Sequence, residues 1–306
     1  MDVLAEVLAT TRVGAAIYGR VELRAPFAMH FDRVDKAGFH LVERGSCVLT
    51  PARGAAIALH QGDVVMLPRG WTHTIADRRA TTGIPYSQVL VEQAKRQGAP
   101  TAVLICGAYA FDHDQPHPLL AVLPDVMHAV ATGSLRSVAE LLSSEIGSAA
   151  PGAESAARRL LDVLFLYVLR DWLGRQPEGA AGWLGALRDP TTERALTALH
   201  QAPAREWSLP RLAKAIGVSR ATLARRFTKF VGHAPLAYLR QWRMTLAAQA
   251  LRERNASLAE LATLAGYESE AAFHKAFTRE RGVTPGAYRR IHAGAQRRVV
   301  DSRRPL

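Results

Sequence analysis

Six side chains near the end of the chain have the chemistry to meet a nucleic acid. Arg220, Arg225 and Lys229 lie in one short segment, and Glu270, His274 and Lys275 in another. Arg and Lys bond phosphate oxygens or guanine edges, His donates or accepts a hydrogen bond, and a carboxylate accepts from cytosine N4. Their neighbours decide which way they face. Leu223 and Phe227 are four apart, as are Phe273 and Phe277. On a helix each pair shares one face and packs inward, leaving the polar six outside. At any single position a solvated helix face gives the same pattern, so the elements that carry them matter more.

Those elements occur twice. WSLPRLAKAIGVSRATLARRFTKFVG (207–232) and ASLAELATLAGYESEAAFHKAFTRERG (256–282) both run Ser-Leu, a short apolar helix, Gly, then Ser opening a second helix rich in Phe. Ser219 and Ser269 can cap the second helices, and Ser257 with Glu260 fits a capping box. Gly217 and Gly266 suit the turn, because glycine adopts positive φ without cost. The spacing predicts two helix-turn-helix units, with motifs at 207–230 and 257–280. A helix from Pro235 to Arg252 between them would be roughly 27 Å long at ~1.5 Å per residue. That is of the order of one DNA turn, ~34 Å, so one chain could read two successive major grooves.

The charge distribution agrees. The 306-residue chain has a net charge of +12, but residues 1–200 carry 19 Lys and Arg against 20 Asp and Glu. Residues 201–306 carry 20 against 7. A basic region joined to a neutral one points to a polyanion partner for the basic part alone. With 48% hydrophobic residues the chain reads as globular and long enough for two domains. The start, MDVLAEVLATTRVG, has acids and no basic leader, so a secretory signal is not expected. LLDVLFLYVL (160–169) is too short to span a bilayer. Two cysteines, Cys47 and Cys106, make no disulfide framework; both read as core residues, with a redox pair as the alternative. A cytoplasmic location is expected.

Residues 14–110 are expected to be β-rich, with VVML, SQVLVE and TAVLICG as apolar runs between Gly, Pro and Asp. Helical patterns begin at about 117 with HPLLAVLPDVMHAV, and RQPEGAAGW (175–183) reads as a linker. The helix at 158–173 has more apolar surface than one core face needs. A homodimer contact is expected there or on the neighbouring helix 135–147, and a central buried helix is the alternative.

Residues 207–290 resemble the DNA-binding domain of the AraC/XylS family of bacterial transcription regulators. The resemblance rests on SLPRLAKAIGVSRATLARRF, GHAPLAYLRQWRM, and AGYESEAAFHKAFTRERGVTPGAYRR with its closing Gly-x-Thr-Pro-x-x-Tyr-Arg. It implies base-reading positions at Arg220, Ala221, Ala224 and Arg225 in the first helix. In the second it implies Ser269, Glu270, His274 and Lys275, and Lys229 joins the DNA-binding set. Ala221 and Ala224 depart from a polar pattern and offer only apolar contact, as with a thymine methyl. Double-stranded DNA and RNA polymerase are the implied partners.

GDVVMLPRGWTHTIAD (62–77) resembles the second conserved motif of cupins, on Gly62, Pro68, Gly70 and His73. The upstream stretch GFHLVERG (38–45) has His40 and Glu43 but Val42 where cupin enzymes place a second His. Mixed His and carboxylate sets can hold a metal. The preferred reading is instead a barrel lined by His40, Glu43, Trp71 and His73 that takes a small-molecule or redox effector, with no metal or other cofactor. LICGAYAFDHDQPHPLLAVLP adds to the likeness with the sensor halves of such regulators.

The expected fold is α+β: an N-terminal cupin-like β-barrel with a helical extension, and a C-terminal all-α domain with two helix-turn-helix units. The sensor is placed at 1–180, with a dimerising helical segment at about 117–175, and the DNA-binding domain at 190–292. The expected function is an effector-responsive, sequence-specific transcription activator. A metal-dependent cupin enzyme fused to a DNA-binding module is the alternative.

Overall fold

The computed structural model describes residues 2–34, 36–80, 82–111, 123–177, 182–254 and 256–292. The described residues form two compact units: one holds Val13–Phe111 and Leu123–Gln176, the other residues 2–12 and those from Pro177 to His292.

The first unit is a curled sheet of nine strands among the described residues. They are β1 (Arg12–Leu23), β2 (Ala28–Phe31), β3 (Ala37–Pro51), β4 (Ile57–His60), β5 (Val64–Leu67), β6 (His73–Ala76), β7 (Ile84–Pro85), β8 (Ala102–Phe111) and β9 (Met127–Ala129). The main path runs β1-β8-β3-β6-β2-β7, with β4 on β3 and β5 between β3 and β9. Strand β3 is the spine. Its first half pairs with β8 and β5, its second half with β4 and β6, and the register slips between Val42 and Arg44. A bulge there increases the twist and lets one strand serve two directions. Inside the curl lie Met29, Val42, Leu49, Leu59, Val65, Leu67, Ile75, Leu104 and both cysteines.

The cupin-like motif is legible in this geometry. Gly70 has φ +59, and a Cβ there would sit 1.9 Å from Val34 O. Its own N–H donates to Leu67 O at 2.9 Å, and its carbonyl accepts from Val34 N at 3.0 Å. Only glycine lets two loops close over one another at this point.

Two stretches differ from their sequence reading. SQVLVE is not a strand but part of helix α2 (Tyr86–Ala94), which starts directly after Pro85. Val89 and Gln93, four apart, are its buried residues, and Val91 is exposed. The Gln93 amide accepts from Arg24 N at 2.8 Å and donates to Arg24 O at 3.2 Å, tying the helix to the end of β1. DVMHAV was read as helical, but Met127–Ala129 is strand β9, paired antiparallel with Val64–Met66. An open sheet edge satisfied by pairing outweighs a weak helical pattern. Residues 117–122 of that expected helix lie outside the described residues. Helices α3 (Gly133–Glu145) and α4 (Ala153–Gly174) complete the unit. Tyr109 of β8 donates its hydroxyl to Leu161 O at 2.6 Å and lies 5.2 Å from the Phe165 ring, fixing α4 to the sheet.

The second unit is helical: α1 (Val3–Thr11), α5 (Trp183–Arg188), α6 (Pro190–Gln201), α7 (Leu209–Ala215), α8 (Arg220–Val231), α9 (Pro235–Glu253), α10 (Leu258–Leu264) and α11 (Glu270–Arg281). Each expected cap is present, and Ser208 adds another: Ser208, Ser219, Ser257 and Ser269 accept from the backbone N–H three residues on, and Ser257 with Glu260 forms a full capping box. Helices α7–α8 and α10–α11 are the two helix-turn-helix units, joined by α9.

Helix α1 belongs to this unit rather than to the sheet. Val3, Leu4, Val7 and Leu8 are buried. Glu6 Oε2 accepts from His200 Nδ1 at 2.8 Å, and the other ring nitrogen lies 2.7 Å from the Tyr238 hydroxyl. Burial, then the charge of Glu6, pushes the Tyr238 hydroxyl well above its ordinary pKa, so it stays protonated. Arg252 spans the far end, donating to Thr10 O at 3.2 Å and to the Tyr288 hydroxyl at 2.7 Å. Apolar burial with a buried polar network anchors the first helix of the chain to the linker helix α9.

Candidate functional site

Helix α8 presents what its periodicity predicts. Leu223, Phe227 and Val231 are buried, Arg220, Ala221, Arg225 and Lys229 are exposed, and Ala224 is half-buried. Helix α11 repeats this: Phe273, Ala276 and Phe277 are buried, while Ser269, Glu270, His274 and Lys275 are exposed. Both helices begin with a Ser-capped first turn whose remaining N–H groups and dipole favour an anion. The nine positions thus fall on two outward surfaces of one helical unit.

Not every neighbouring cation is free for DNA. Arg226 pairs at 2.5 Å with Asp189, the N-cap of α6, which also accepts from Thr192 N and Oγ1 at 2.9 and 2.8 Å. Burial alone would raise the Asp189 carboxyl, but the Thr192 bonds and the Arg226 charge outweigh it and hold the pKa below its usual value. Arg226 therefore fixes α8 against α6. Arg281 turns inward and donates to Thr245 Oγ1 at 3.2 Å. Sequence reasoning missed Asp189. Its Asp-Pro-Thr-Thr start announces a helix, but nothing local ties it to a residue 37 positions on.

Inside the sheet, His40 and His73 meet at 2.8 Å through their Nε2 atoms. His40 Nδ1 is 3.1 Å from Cys106 Sγ, and His73 Nδ1 is 2.8 Å from Trp71 O. The carbonyl can only accept, so His73 carries its proton on Nδ1. His73 Nε2 then accepts, His40 Nε2 donates, and the Cys106 thiol donates to His40 Nδ1. The line is complete when every member is neutral. Phe31 stacks on His73 at 4.7 Å, and the Trp71 indole donates to Asp125 at 2.9 Å with the Arg33 guanidinium 4.5 Å over its ring.

The pKa shifts fit this neutral line. Burial, then His73, pushes His40 well below its ordinary value. His73 falls to about 4: burial lowers it, the Trp71 carbonyl partly restores it, and His30 lowers it further. Burial raises both thiols, Cys47 to about 12, and keeps them protonated. Glu43 does not join the histidines. It falls where the β3 register slips, and its carboxylate accepts from Arg20 Nε at 2.6 Å. With both facing nitrogens committed to each other and the carboxylate elsewhere, these donors do not converge on a metal. Among the described residues no group of three His, Cys, Asp or Glu could hold one.

The neutral pair sets a pH dependence. Between about 6.5 and 4 an unfolded His73 takes a proton that the folded one refuses. Its contribution is therefore complete above pH 6.5 and is lost as pH falls toward 4, by on the order of 3 kcal/mol. Thermal melts from pH 7 to 4 should show the sheet unit weakening over that range, and His73→Asn should flatten the slope. A pH-independent wild-type melt would contradict the neutral line.

Known proteins resemble both units of the chain. A cupin family model matches residues 2–174, and a helix-turn-helix domain model matches residues 212–291. A putative AraC-like transcription regulator of Streptomyces lividans is 33% identical over 299 residues, covering 95% of this chain and 98% of the relative. One from Streptomyces antibioticus is 34% identical over 299 residues, covering 95% and 99%. The transcriptional regulator AlkR of Acinetobacter baylyi is 29% identical over 307 residues, covering 94% and 99%. A cupin-type half joined to a double helix-turn-helix half defines a DNA-binding transcription regulator. The chain belongs to the family of AraC-like transcription regulators. These relatives are named for regulation, and the catalytic alternative finds no support in them. Among the described residues no helix is long and apolar enough to cross a membrane.

Proposed function

We propose that this regulator reads two successive major grooves of its operator with α8 and α11. Arg220, Ala221, Ala224 and Arg225 face the bases of one half-site, and Ser269, Glu270, His274 and Lys275 those of the other. Lys229 contacts phosphate. One observation carries the reading: eight of these nine side chains are exposed and the ninth half-exposed, on two capped helices whose opposite faces are buried. Arg225 supplies bidentate readout of a guanine. Glu270 would repel phosphate and suits a cytosine N4.

The sheet unit is the signal-receiving half, with a small molecule or an oxidant as effector. His40, Trp71 and His73 remain its candidate contacts, and Glu43 leaves the set because Arg20 holds it elsewhere. The effector acts by favouring one arrangement of the DNA-reading helices over another. A homodimer through α3 and α4 fits the exposed Leu141 and Val163, while Leu161, Leu164 and Val168 of α4 face inward. RNA polymerase is the partner of an activator, and the cytoplasm its place of work.

Selection of genomic DNA fragments at about 150 mM salt tests the reading. Recovery of one recurring site with two half-motifs, the second blurred by Lys275→Ala, is the expected outcome. Equal recovery of all fragments, with and without candidate effectors, would reduce the C-terminal unit to non-specific DNA attraction.

A further inference from the structure

The loop before the first helix-turn-helix and the turn inside the second meet at one side chain. Arg243 lies midway along α9 and is half-buried. Its Nε donates to Pro203 O at 2.7 Å, and a terminal nitrogen donates to Arg205 O at 3.0 Å. Both carbonyls belong to the loop that leads from α6 into α7. That loop is held at two further points: Trp207 Nε1 donates to Ala202 O at 2.9 Å, and the Arg205 guanidinium lies 4.6 Å over the Trp207 ring.

Gly266, in the turn between α10 and α11, closes the other side. A Cβ on it would stand 2.9 Å from Arg243 Cζ and 2.8 Å from Ala204 O, and its φ is +66. The turn of the second motif, the guanidinium and the leading loop of the first are thus in contact, with no space for a methyl group. The planar fork of Arg serves two carbonyls at once, which the single ammonium of Lys cannot do in the same geometry. Burial lowers the Arg243 pKa, partly offset by Tyr267, so the guanidinium is held there at a desolvation cost.

We propose that Arg243 is a positioning residue for DNA reading: it fixes the offset between α8 and α11, and with it the half-site spacing the regulator accepts. The proposal rests on the two-helix reading given above.

The test uses the full-length chain and duplexes built from the selected site. These carry native spacing, one base pair added or removed between half-sites, or one half-site alone. A one-base-pair change rotates one half-site by roughly 35° about the axis, since B-DNA turns once per ~10–10.5 base pairs. Wild type should prefer native spacing by about tenfold or more, the scale of one mismatched position. Arg243→Lys should cut that preference to about threefold or less while leaving affinity for each isolated half-site unchanged. Gly266→Ala, which forces the same contact apart from the other side, should do likewise, and thermal melts establish that each variant is folded. A folded variant of either kind that keeps the full spacing preference overturns the proposal. So does equal weakening on all duplexes, which marks a merely structural role. A wild-type chain indifferent to the second half-site overturns the two-helix reading itself, and that outcome is read before any variant is compared.

Discussion

Replacing Arg225 with alanine weakens binding to the operator by about 1–3 kcal/mol, roughly tenfold to a hundredfold, and relaxes specificity at a single base pair. Arg225 is exposed, between one and two helical turns beyond the Ser219 cap, on the side of α8 away from Leu223 and Phe227. Its neighbour provides the internal control. Arg226 has the same charge, but its guanidinium is engaged by Asp189. Arg226→Ala should leave base preference intact and instead loosen α8 from α6. Competition binding on operator variants, repeated across a salt series, separates the two. Loss of affinity that is uniform over all base substitutions would make Arg225 a phosphate contact, and the proposed readout by α8 would need another residue.

Replacing Phe277 with alanine costs the helical unit about 3–5 kcal/mol, a large share of the ~5–15 kcal/mol that stabilises a typical domain. The Phe277 ring is fully buried, 5.7 Å from Phe273 and 5.5 Å edge-on to Tyr288. Tyr288 in turn accepts from Arg252, whose other nitrogen holds Thr10 O. The cavity would open beside that bonded group, where collapse is restrained. Thermal or urea unfolding of the full chain should show the helical transition moving sharply while the sheet transition stays. A loss below about 1 kcal/mol would mean that the surrounding side chains close the gap.

Much of the C-terminal unit was legible because its determinants are local. A Ser cap and the N–H it binds are three residues apart, and the inward Leu and Phe residues are four apart. The cupin-like motif was legible for the same reason, since Gly70 and His73 serve one turn and one short strand. What escaped depends on distant chain. Strand β9 exists because β5 has an edge to fill, and α2 because only Val89 and Gln93 find a buried place. Glu43 was grouped with His40 by the likeness of GFHLVERG to a cupin motif, yet three residues is an odd spacing and regular strand geometry sends the pair to opposite faces. The bulge next to it then gave the carboxylate to Arg20. Arg243 reads as one more cation on a linker helix, and nothing within a turn of it announces the carbonyls of Pro203 and Arg205.

The docking of α1 also makes the helical unit discontinuous in time. Glu6 leaves the ribosome 194 residues before its partner His200. At ~5–20 residues per second, α1 waits on the order of 10–40 s for the surface it covers, with Val3, Leu4, Val7 and Leu8 unshielded. The sheet that begins at Arg12 can form in that interval, since all its strands are made first. The helical unit therefore closes on a segment made long before the rest of it, and a nascent chain stalled before α6 carries α1 without the surface that covers it.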